Sequence, residues 1–196
     1  GGSEVIYTGG NTYTEGTTIA NDGSSLTGST STLPPGGPIV VGPTTDPTAN
    51  ASLILNQTSD SSNAFTGNIS GLGSVTIQGG QTITFTGNNT YTGGTTIAND
   101  GSNLKVTAGT SATSNIPLTG AAITDNGTLT FNQTVAGAVT FAVPIQGSGN
   151  LIVNGPGTID FSNSSITPSA IVNGGGIVGN TQAFLGDITL NNATLT

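Results

Sequence analysis

The amino-acid sequence predicts an all-β fold, a parallel β-helix (β-solenoid) in which a coil of three short strands repeats about eight to ten times. Three observations support this prediction. A block of 20 residues recurs, apolar residues alternate with polar ones in short runs, and Gly, Asn and Asp separate the runs. A solenoid repeats its sequence whenever a set of coils repeats, whereas a β-sandwich has no reason to do so. The repeat therefore favours the solenoid.

The recurring block lies at residues 85–104 and reads FTGNNTYTGGTTIANDGSNL. An earlier copy at residues 7–26 reads YTGGNTYTEGTTIANDGSSL, and every matched pair of residues is 78 positions apart. A block kept in register over this distance indicates an internal repeat rather than a shared composition. We interpret each copy as one or two coils of the solenoid.

A second match shows that the repeating unit is longer than the block. ASLILNQT at residues 51–58 matches GTLTFNQT at residues 127–134 with an offset of 76 positions. Because a coil takes about 20–25 residues, such a unit holds three or four coils. The prediction is one β-solenoid over residues 1–196, with superrepeats at approximately 1–26 (partial), 27–104, 105–182 and 183–196 (partial).

The predicted strands are short runs in which every second residue is apolar, such as Val75–Ile77 and Leu129–Phe131. This alternation is typical of a strand with one buried face, and no segment has the apolar spacing of an amphipathic helix. Corners are predicted at Asn21-Asp22-Gly23 and Asn99-Asp100-Gly101, because an Asn/Asp-Gly pair readily adopts positive φ. At the corners we expect Thr, Ser and Asn to stack in hydrogen-bonded ladders.

The stretch at residues 27–50 interrupts the repeat. It holds five of the nine prolines, and proline cannot donate a hydrogen bond to a strand ladder. We interpret it as a proline-rich excursion from the coil, with Ile39–Val41 as one short strand inside it. A local function is expected where the repeat is interrupted.

The chain has nine acidic residues, a single basic residue (Lys105) and neither His nor Cys, which gives a net charge of −8. Nucleic acid is not an expected partner, because a basic patch is missing. Membrane insertion of this segment is not expected either, because no apolar run approaches about 18 residues. Without cysteine, disulfides and thiolate metal sites are excluded. We expect no cofactor and no metal site.

Catalysis is not expected, and a polysaccharide-active β-helix enzyme is the weaker alternative. A lyase needs a base, and Lys105 is the sole candidate, while the other copy of the repeat has Thr27 there. A hydrolase needs two neighbouring carboxylates, and a Ser or Thr nucleophile would lack a His partner. The acids are dispersed along the chain: Glu4, Glu15, Asp22, Asp46, Asp60, Asp100, Asp125, Asp160 and Asp187.

Residues 79–106, GGQTITFTGNNTYTGGTTIANDGSNLKV, resemble the autotransporter-associated β-strand repeat, also called the passenger-associated transport repeat. The consensus of that family has a Gly-rich lead, an alternating strand, G-x-N-T-Y-x-G-G-T-x-I and a closing Gly-x-Leu. Its positions are filled here by Gly87, Asn89, Thr90, Tyr91, Gly93, Gly94, Thr95, Thr96, Ile97, Gly101 and Leu104. In the earlier copy they are filled by Gly9, Asn11, Thr12, Tyr13, Gly16, Thr17, Thr18, Ile19, Gly23 and Leu26. Glu15 departs from the first glycine of the Gly-Gly pair.

The resemblance implies a right-handed β-helix that forms a passenger segment of a Gram-negative type V secretion system, outside the cell or at the outer-membrane surface. In that family the repeat is linked to passenger transport and folding rather than to a catalytic site. We therefore expect a non-catalytic structural or adhesive rod that presents loops to a surface glycan or protein. The alternative is a self-assembling subunit of an extracellular bacterial fibre, in which open solenoid ends stack head to tail.

Overall fold

The computed structural model describes residues 2–20, 22–34, 36–42, 50–60, 64–108, 118, 120–180 and 183–196. These residues contain no helix, and their short strands pair in parallel. The predicted β-solenoid is confirmed, with about eight turns. The right-handed coil that the resemblance implies stays a prediction. None of the described residues forms a helix long and apolar enough to span a bilayer.

The strands are two to six residues long. In chain order they are β1 (Glu4–Ile6), β2 (Thr17–Ile19), β3 (Ser25–Gly28), β4 (Ile39–Val41), β5 (Ser52–Asn56), β6 (Ala64–Phe65), β7 (Ile69–Ser70), β8 (Ser74–Gln78), β9 (Thr82–Phe85), β10 (Thr95–Ile97), β11 (Asn103–Ala108), β12 (Ile123–Asp125), β13 (Thr128–Gln133), β14 (Ala138–Thr140), β15 (Ile145–Gln146), β16 (Asn150–Asn154), β17 (Thr158–Asp160), β18 (Ser169–Asn173), β19 (Gly176–Val178), β20 (Ile188–Asn191) and β21 (Thr194–Leu195).

The coil has three faces. The first face is the sheet β1-β3-β5-β8-β10-β12-β15, and the second face is the sheet β6-β9-β11-β13-β16-β18-β20. The third face comprises two smaller sheets, β2-β4-β7 early in the chain and β14-β17-β19-β21 later. Residues paired between neighbouring coils are 18 positions apart at Ala170 and Ile188, and 30 apart at Ile39 and Ile69. The coil length therefore varies along the rod.

The core is one continuous cluster of apolar side chains inside the coil. Inward and outward residues alternate along β5, β8, β9 and β16, and in β8 Val75 and Ile77 are fully buried. The rings of Phe131, Phe141 and Phe161 lie 5.0–5.9 Å apart between centroids. Aromatic pairs at such distances stabilise a core beyond the area that they bury. The alternation predicted from the sequence is confirmed.

Equivalent strands of successive superrepeats lie on different faces of the coil. The strands β1, β3, β5 and β8 belong to the first face, whereas their sequence equivalents β9, β11, β13 and β16 belong to the second. The pairing register is the same in both sets: Leu26 pairs with Leu53, and Leu104 pairs with Leu129. One superrepeat therefore takes the chain through three complete coils and then on to the next face. We describe this as three coils and one further face.

The proline-rich excursion contains the predicted short strand. Ile39–Val41 forms β4, which pairs with β2 on one side and with β7 on the other. Ser29 and Thr32 close a turn before it, with the Ser29 N–H donating to Thr32 Oγ1 at 2.7 Å. Pro35, Pro43 and Pro47 lie outside the described residues.

Candidate functional site

The centre of the repeated block is a tyrosine held inside the coil. Tyr91 is fully buried, and its hydroxyl oxygen lies 2.6 Å from Oγ1 of Thr95. Burial raises the pKa of Tyr91 to about 12, and the hydrogen bond with Thr95 opposes this shift. A buried tyrosine hydroxyl needs such a partner, because an unpaired polar group in the core is costly. The Tyr-x-x-x-Thr spacing thus supplies its own hydrogen bond within one corner.

A second group of repeated residues contacts the preceding coil. The Oδ1 atom of Asn89 accepts a hydrogen bond from the Ile69 N–H at 2.9 Å. A Cβ atom on Gly93 would lie 2.4 Å from backbone atoms of Gly73, which is closer than carbon and oxygen atoms can approach. The glycine and asparagine of the block are therefore required by stacking between coils.

The remaining residues of the block form its strand and its corners. Gly94 and Gly101 have φ of 88° and 90°, a left-handed region that favours glycine. Ile97 and Leu104 are fully buried, and Thr96 points outward. Gly87 and Thr90 complete the block, and a Cβ on Gly87 would meet the preceding coil at 2.2 Å. The glycines, Asn89, Tyr91, Thr95, Ile97 and Leu104 of this copy thus turn the chain, fill the core or contact a neighbouring coil, whereas Thr90 and Thr96 are exposed.

The earlier copy keeps the contacts within its coil. Oγ1 of Thr17 lies 2.6 Å from the Tyr13 hydroxyl, the same distance as in the later copy. Tyr13 is nevertheless 36% exposed, and Glu15 is exposed. Gly16 and Gly23 have φ of 102° and 71°. Thr18 lies outward, while Ile19 and Leu26 are buried.

The corner acids bind backbone groups of neighbouring coils. Asp22 accepts a hydrogen bond from the Asn50 N–H at 2.7 Å, and Asp100 accepts one from the Gly79 N–H at 2.7 Å. Hydrogen bonds from Ser102 and from backbone N–H groups hold the pKa of Asp100 below its usual range. These carboxylates occupy the corners that the sequence predicts for them. Asp46 lies outside the described residues.

An asparagine ladder runs along the second face. Asn173 donates through Nδ2 to Oδ1 of Asn154 at 2.9 Å, and Asn191 donates in the same way to Asn173 at 2.9 Å. Asn132 occupies the same position on the preceding rung. Stacked amides of this kind are a feature of cross-β structures. A polar ladder of the expected kind is therefore present, at the last residues of β16, β18 and β20 rather than in the corners.

Lys105, the sole basic residue, lies on the outward side of the second face. It borders a shallow cavity of about 490 Å³ whose other lining residues are Thr82, Thr84, Asn103, Thr130, Ile152 and Asn154. Oγ1 of Thr130 donates to Oδ1 of Asn103 at 3.1 Å across this surface. No carboxylate borders the cavity among the described residues, so a proton acceptor would have to be Lys105 itself.

Asp125 is a buried acid. The sequence predicts no special role for it and shows it only as one of nine acids dispersed along the chain. Its side chain is fully buried, and Oδ1 accepts a hydrogen bond from the Gly127 N–H at 3.1 Å. Oδ2 meets no hydrogen-bond donor among the described residues. Burial raises the pKa of Asp125 to about 6, and the N–H groups of Gly127 and Leu129 only partly oppose this shift.

Groups of three or more His, Cys, Asp or Glu residues able to hold a metal ion are not found in the part of the chain that the structure describes. Comparison of the chain with protein-family models, with curated protein sequences and with solved structures gives no match. The resemblance of the repeat to the autotransporter-associated family therefore stays a prediction.

Proposed function

We propose that the chain is a segment of a non-catalytic extracellular rod, similar to an autotransporter passenger, whose task is to span and present rather than to convert a substrate. One observation carries this proposal. Between residues 51–85 and 127–161 the superrepeat keeps its buried apolar residues while outward residues change, and outward residues that are kept in the other block, such as Thr18 and Thr96, lie on different faces. A repeat maintained in this way serves the integrity of a rod.

The kept residues are apolar pairs 76 positions apart whose side chains are buried in both copies. They are Leu53 and Leu129, Leu55 and Phe131, Phe65 and Phe141, Ile69 and Ile145, Val75 and Leu151, Ile77 and Val153, Ile83 and Ile159, and Phe85 and Phe161. On the outward side, Thr76 is replaced by Ile152, and Thr84 by Asp160. The two copies therefore agree more closely in their core than on their surface.

Because successive superrepeats advance by one face, equivalent outward residues also point in different directions. The outward residue Thr18 of β2 belongs to the third face, whereas its equivalent Thr96 belongs to the first. A ligand that bound one copy would not meet the next copy on the same side of the rod. This arrangement suits a stiff support better than a row of identical binding sites.

A display experiment tests the proposal. The chain is placed between an N-terminal epitope and an outer-membrane translocator barrel in a Gram-negative host, and antibody binding to intact cells is measured. We expect the epitope at the surface. The variant Gly93→Glu, which inserts a side chain against Gly73, should reduce display, whereas the matched variant Glu15→Gly should not. Equal display of both variants, or an epitope retained inside the cell, contradicts the proposal.

The enzyme alternative is tested on the same purified chain. Incubation with a panel of neutral and acidic polysaccharides should release no new reducing ends and no unsaturated products. Product release that disappears in Lys105→Gln, with the fold intact by circular dichroism, would replace the proposed rod function with a lyase activity at the second face.

A second candidate is self-assembly, and exposed apolar residues favour it. Val5 and Ile6 of β1 are 49% and 58% exposed, and Leu185 and Leu195 in the last coil are 67% and 46% exposed. Exposed apolar edges of a sheet are sites for pairing with another chain. The strands β1 and β21 are edge strands of their sheets among the described residues.

Head-to-tail stacking of this kind is heterologous and produces open filaments. Light scattering and negative-stain microscopy of the purified chain distinguish the two candidates. Filaments that lose length when Ile6 and Leu195 are changed to Lys support self-assembly through these edges. A monodisperse 19.1 kDa species at all concentrations contradicts it and leaves the rod function in place.

A further inference from the structure

The superrepeat contains one core position that holds valine in one copy and aspartate in the other. Val41 stacks on Ile19, and Asp125 stacks on Ile97, where Ile19 and Ile97 are equivalent residues of the repeated block. Val41 and Asp125 are both fully buried. The same position of the coil thus carries an apolar side chain once and a carboxyl group once.

The backbone around the two positions is the same. The carbonyl oxygen of Val41 accepts a hydrogen bond from the Gly73 N–H at 2.7 Å, and that of Asp125 accepts one from the Gly149 N–H at 2.8 Å. A Cβ on the glycine that begins the next corner, Gly71 or Gly147, would lie 2.2 Å from that carbonyl oxygen. The coil therefore does not need a carboxyl group to adopt this geometry.

The carboxyl group of Asp125 has few compensating contacts. The Gly127 N–H donates to Oδ1, while Oδ2 is buried without a donor among the described residues. A buried carboxylate that lacks a full set of hydrogen bonds or a counter-ion is costly, whereas its protonated form is tolerated. Val41, at the same position in the other copy, shows that the coil folds without a buried carboxyl group there.

Charged groups on the surrounding elements do not neutralise Asp125. The strands β10, β13, β15 and β16 carry no ionisable side chain, and neither do the corners at residues 126–127 and 147–149. Asp100 lies on the corner of the preceding coil and is bound to the Gly79 N–H. On β11, Lys105 lies on the outward side of the second face. Only Asp125 is thus expected to titrate inside this part of the core.

We propose that Asp125 is a pH-sensitive weak point in the middle of the rod. Protonation of its carboxyl group holds β12 against β10 and β15, and ionisation makes this junction the part of the solenoid that opens first. The device is independent of the proposed rod function, because it depends on the core alone.

The direction of the pH effect on stability follows from the raised pKa of Asp125, which is about 6 in the folded chain against an ordinary 3.8. The contribution of the protonated Asp125 carboxyl group to the stability of the folded coil is complete below pH 3.8. It is lost as the pH rises through about 6. If the opened coil restores the ordinary value, the equilibrium constant for opening at β12 rises roughly 25-fold between pH 4.5 and 7.5.

Hydrogen exchange measured by mass spectrometry tests this proposal. Amide exchange is corrected for its intrinsic pH dependence and followed between pH 4.5 and 7.5 in peptides that cover β12 and, as the internal control, β4. The wild type should show roughly 25-fold more opening at β12 at the higher pH, and none of this dependence at β4. The variant Asp125→Val, which copies the other superrepeat, should remove the dependence.

The reciprocal variant Val41→Asp should transfer the pH dependence to β4. If Val41→Asp does not fold, the variant Asp125→Asn is measured instead, because asparagine keeps the shape of the side chain and cannot ionise. Hydrogen exchange at β12 should then be independent of pH. A wild type with the same opening at both pH values overturns the proposal. So does a pH dependence at β12 that persists in Asp125→Val or Asp125→Asn.

Discussion

The two copies of the repeated block share their sequence but not their surroundings. In the later copy, residues 85–104, the coil lies between two others, and Tyr91 and Phe85 are fully buried. In the earlier copy, residues 7–26, the described structure has a coil on one side only, and Tyr13 is 36% exposed. The hydrogen bond between the tyrosine and threonine hydroxyls is nevertheless 2.6 Å long in both.

This comparison separates two kinds of repeated residue. The tyrosine, the threonine and the corner glycines form contacts within one coil, which persist without a neighbour. Asn89 and Gly93 also contact the preceding coil, whereas at their equivalents Asn11 and Glu15 no described coil precedes. Asn11 donates to the Thr32 carbonyl oxygen of the following coil at 2.7 Å, and Glu15 replaces the glycine. A side chain is accepted there because no described coil lies beneath it.

The largest difference between the copies is expected at the glycine that touches the preceding coil. Gly93→Glu should lower the free energy of unfolding by about 3–5 kcal/mol, because its Cβ would overlap the backbone of Gly73. Glu15→Gly at the equivalent exposed position should change it by less than about 1 kcal/mol. Urea unfolding followed by far-ultraviolet circular dichroism measures both. Similar losses would show that the two coils are not stacked as described.

A smaller difference is expected in the core. Ile83 is fully buried, whereas the equivalent Val5 is 49% exposed. Ile83→Ala should cost about 2–4 kcal/mol, through lost transfer free energy and a cavity, and Val5→Ala less than about 1 kcal/mol. The same urea titration measures both variants. A larger cost at Val5 would mean that another chain or coil covers β1 in solution.

The tyrosine hydroxyl should distinguish the copies by a modest amount. Tyr91→Phe leaves the buried Thr95 hydroxyl without this partner and should cost about 1–2 kcal/mol. Tyr13→Phe leaves Thr17 close to solvent, which can replace the lost bond, so a cost below about 0.5 kcal/mol is expected. A thermal unfolding series that includes the Tyr91→Phe/Thr95→Val double variant isolates the hydrogen bond. Equal effects in both copies contradict this account of burial.

The smallest effect concerns an exposed corner acid. The pKa of Asp100 is lowered in the folded chain by hydrogen bonds from Ser102 and Gly79. Its contribution to stability is therefore present above pH 3.8 and is lost as the pH falls through the lower folded value. Asp100→Asn should make the loss of stability below pH 4 shallower. An unchanged acid limb in the unfolding temperature would show that these hydrogen bonds do not favour the ionised form.

The fold could be predicted from the sequence because the repeat, the alternation and the Asn/Asp-Gly corners all indicate the same architecture. The advance by one face could not be predicted. It depends on the length of each coil, and this length varies where the chain leaves the strand path, as between Thr95 and its partner Ile123, which are 28 positions apart. Sequence spacing alone does not indicate which strands stack.

The buried acid was missed for the same reason. Asp125 and Val41 are 84 positions apart rather than 76 or 78, because the segments before them differ in length. An alignment at the fixed offset therefore never compares the two residues. A signal was nevertheless present: Ile-x-Asp at 123–125 continues the alternation of a strand, and it places the acid at an inward position.

Coils of variable length stack so that one superrepeat spans three coils and one further face. The chain has no cysteine, so pairs of introduced thiols test this arrangement directly. Thr76 and Thr96 are paired in register on β8 and β10, and neighbouring strands are about 4.8 Å apart, within the range that a disulfide can bridge.

Ser70 and Thr96 are 26 positions apart, as the partners would be if a 78-residue superrepeat were divided into three equal coils. The double variant Thr76→Cys/Thr96→Cys should form an intramolecular disulfide under mild oxidation, seen as a mobility shift on a non-reducing gel. Ser70→Cys/Thr96→Cys should stay reduced. Efficient bridging of the second pair without the first would contradict the stacking described here.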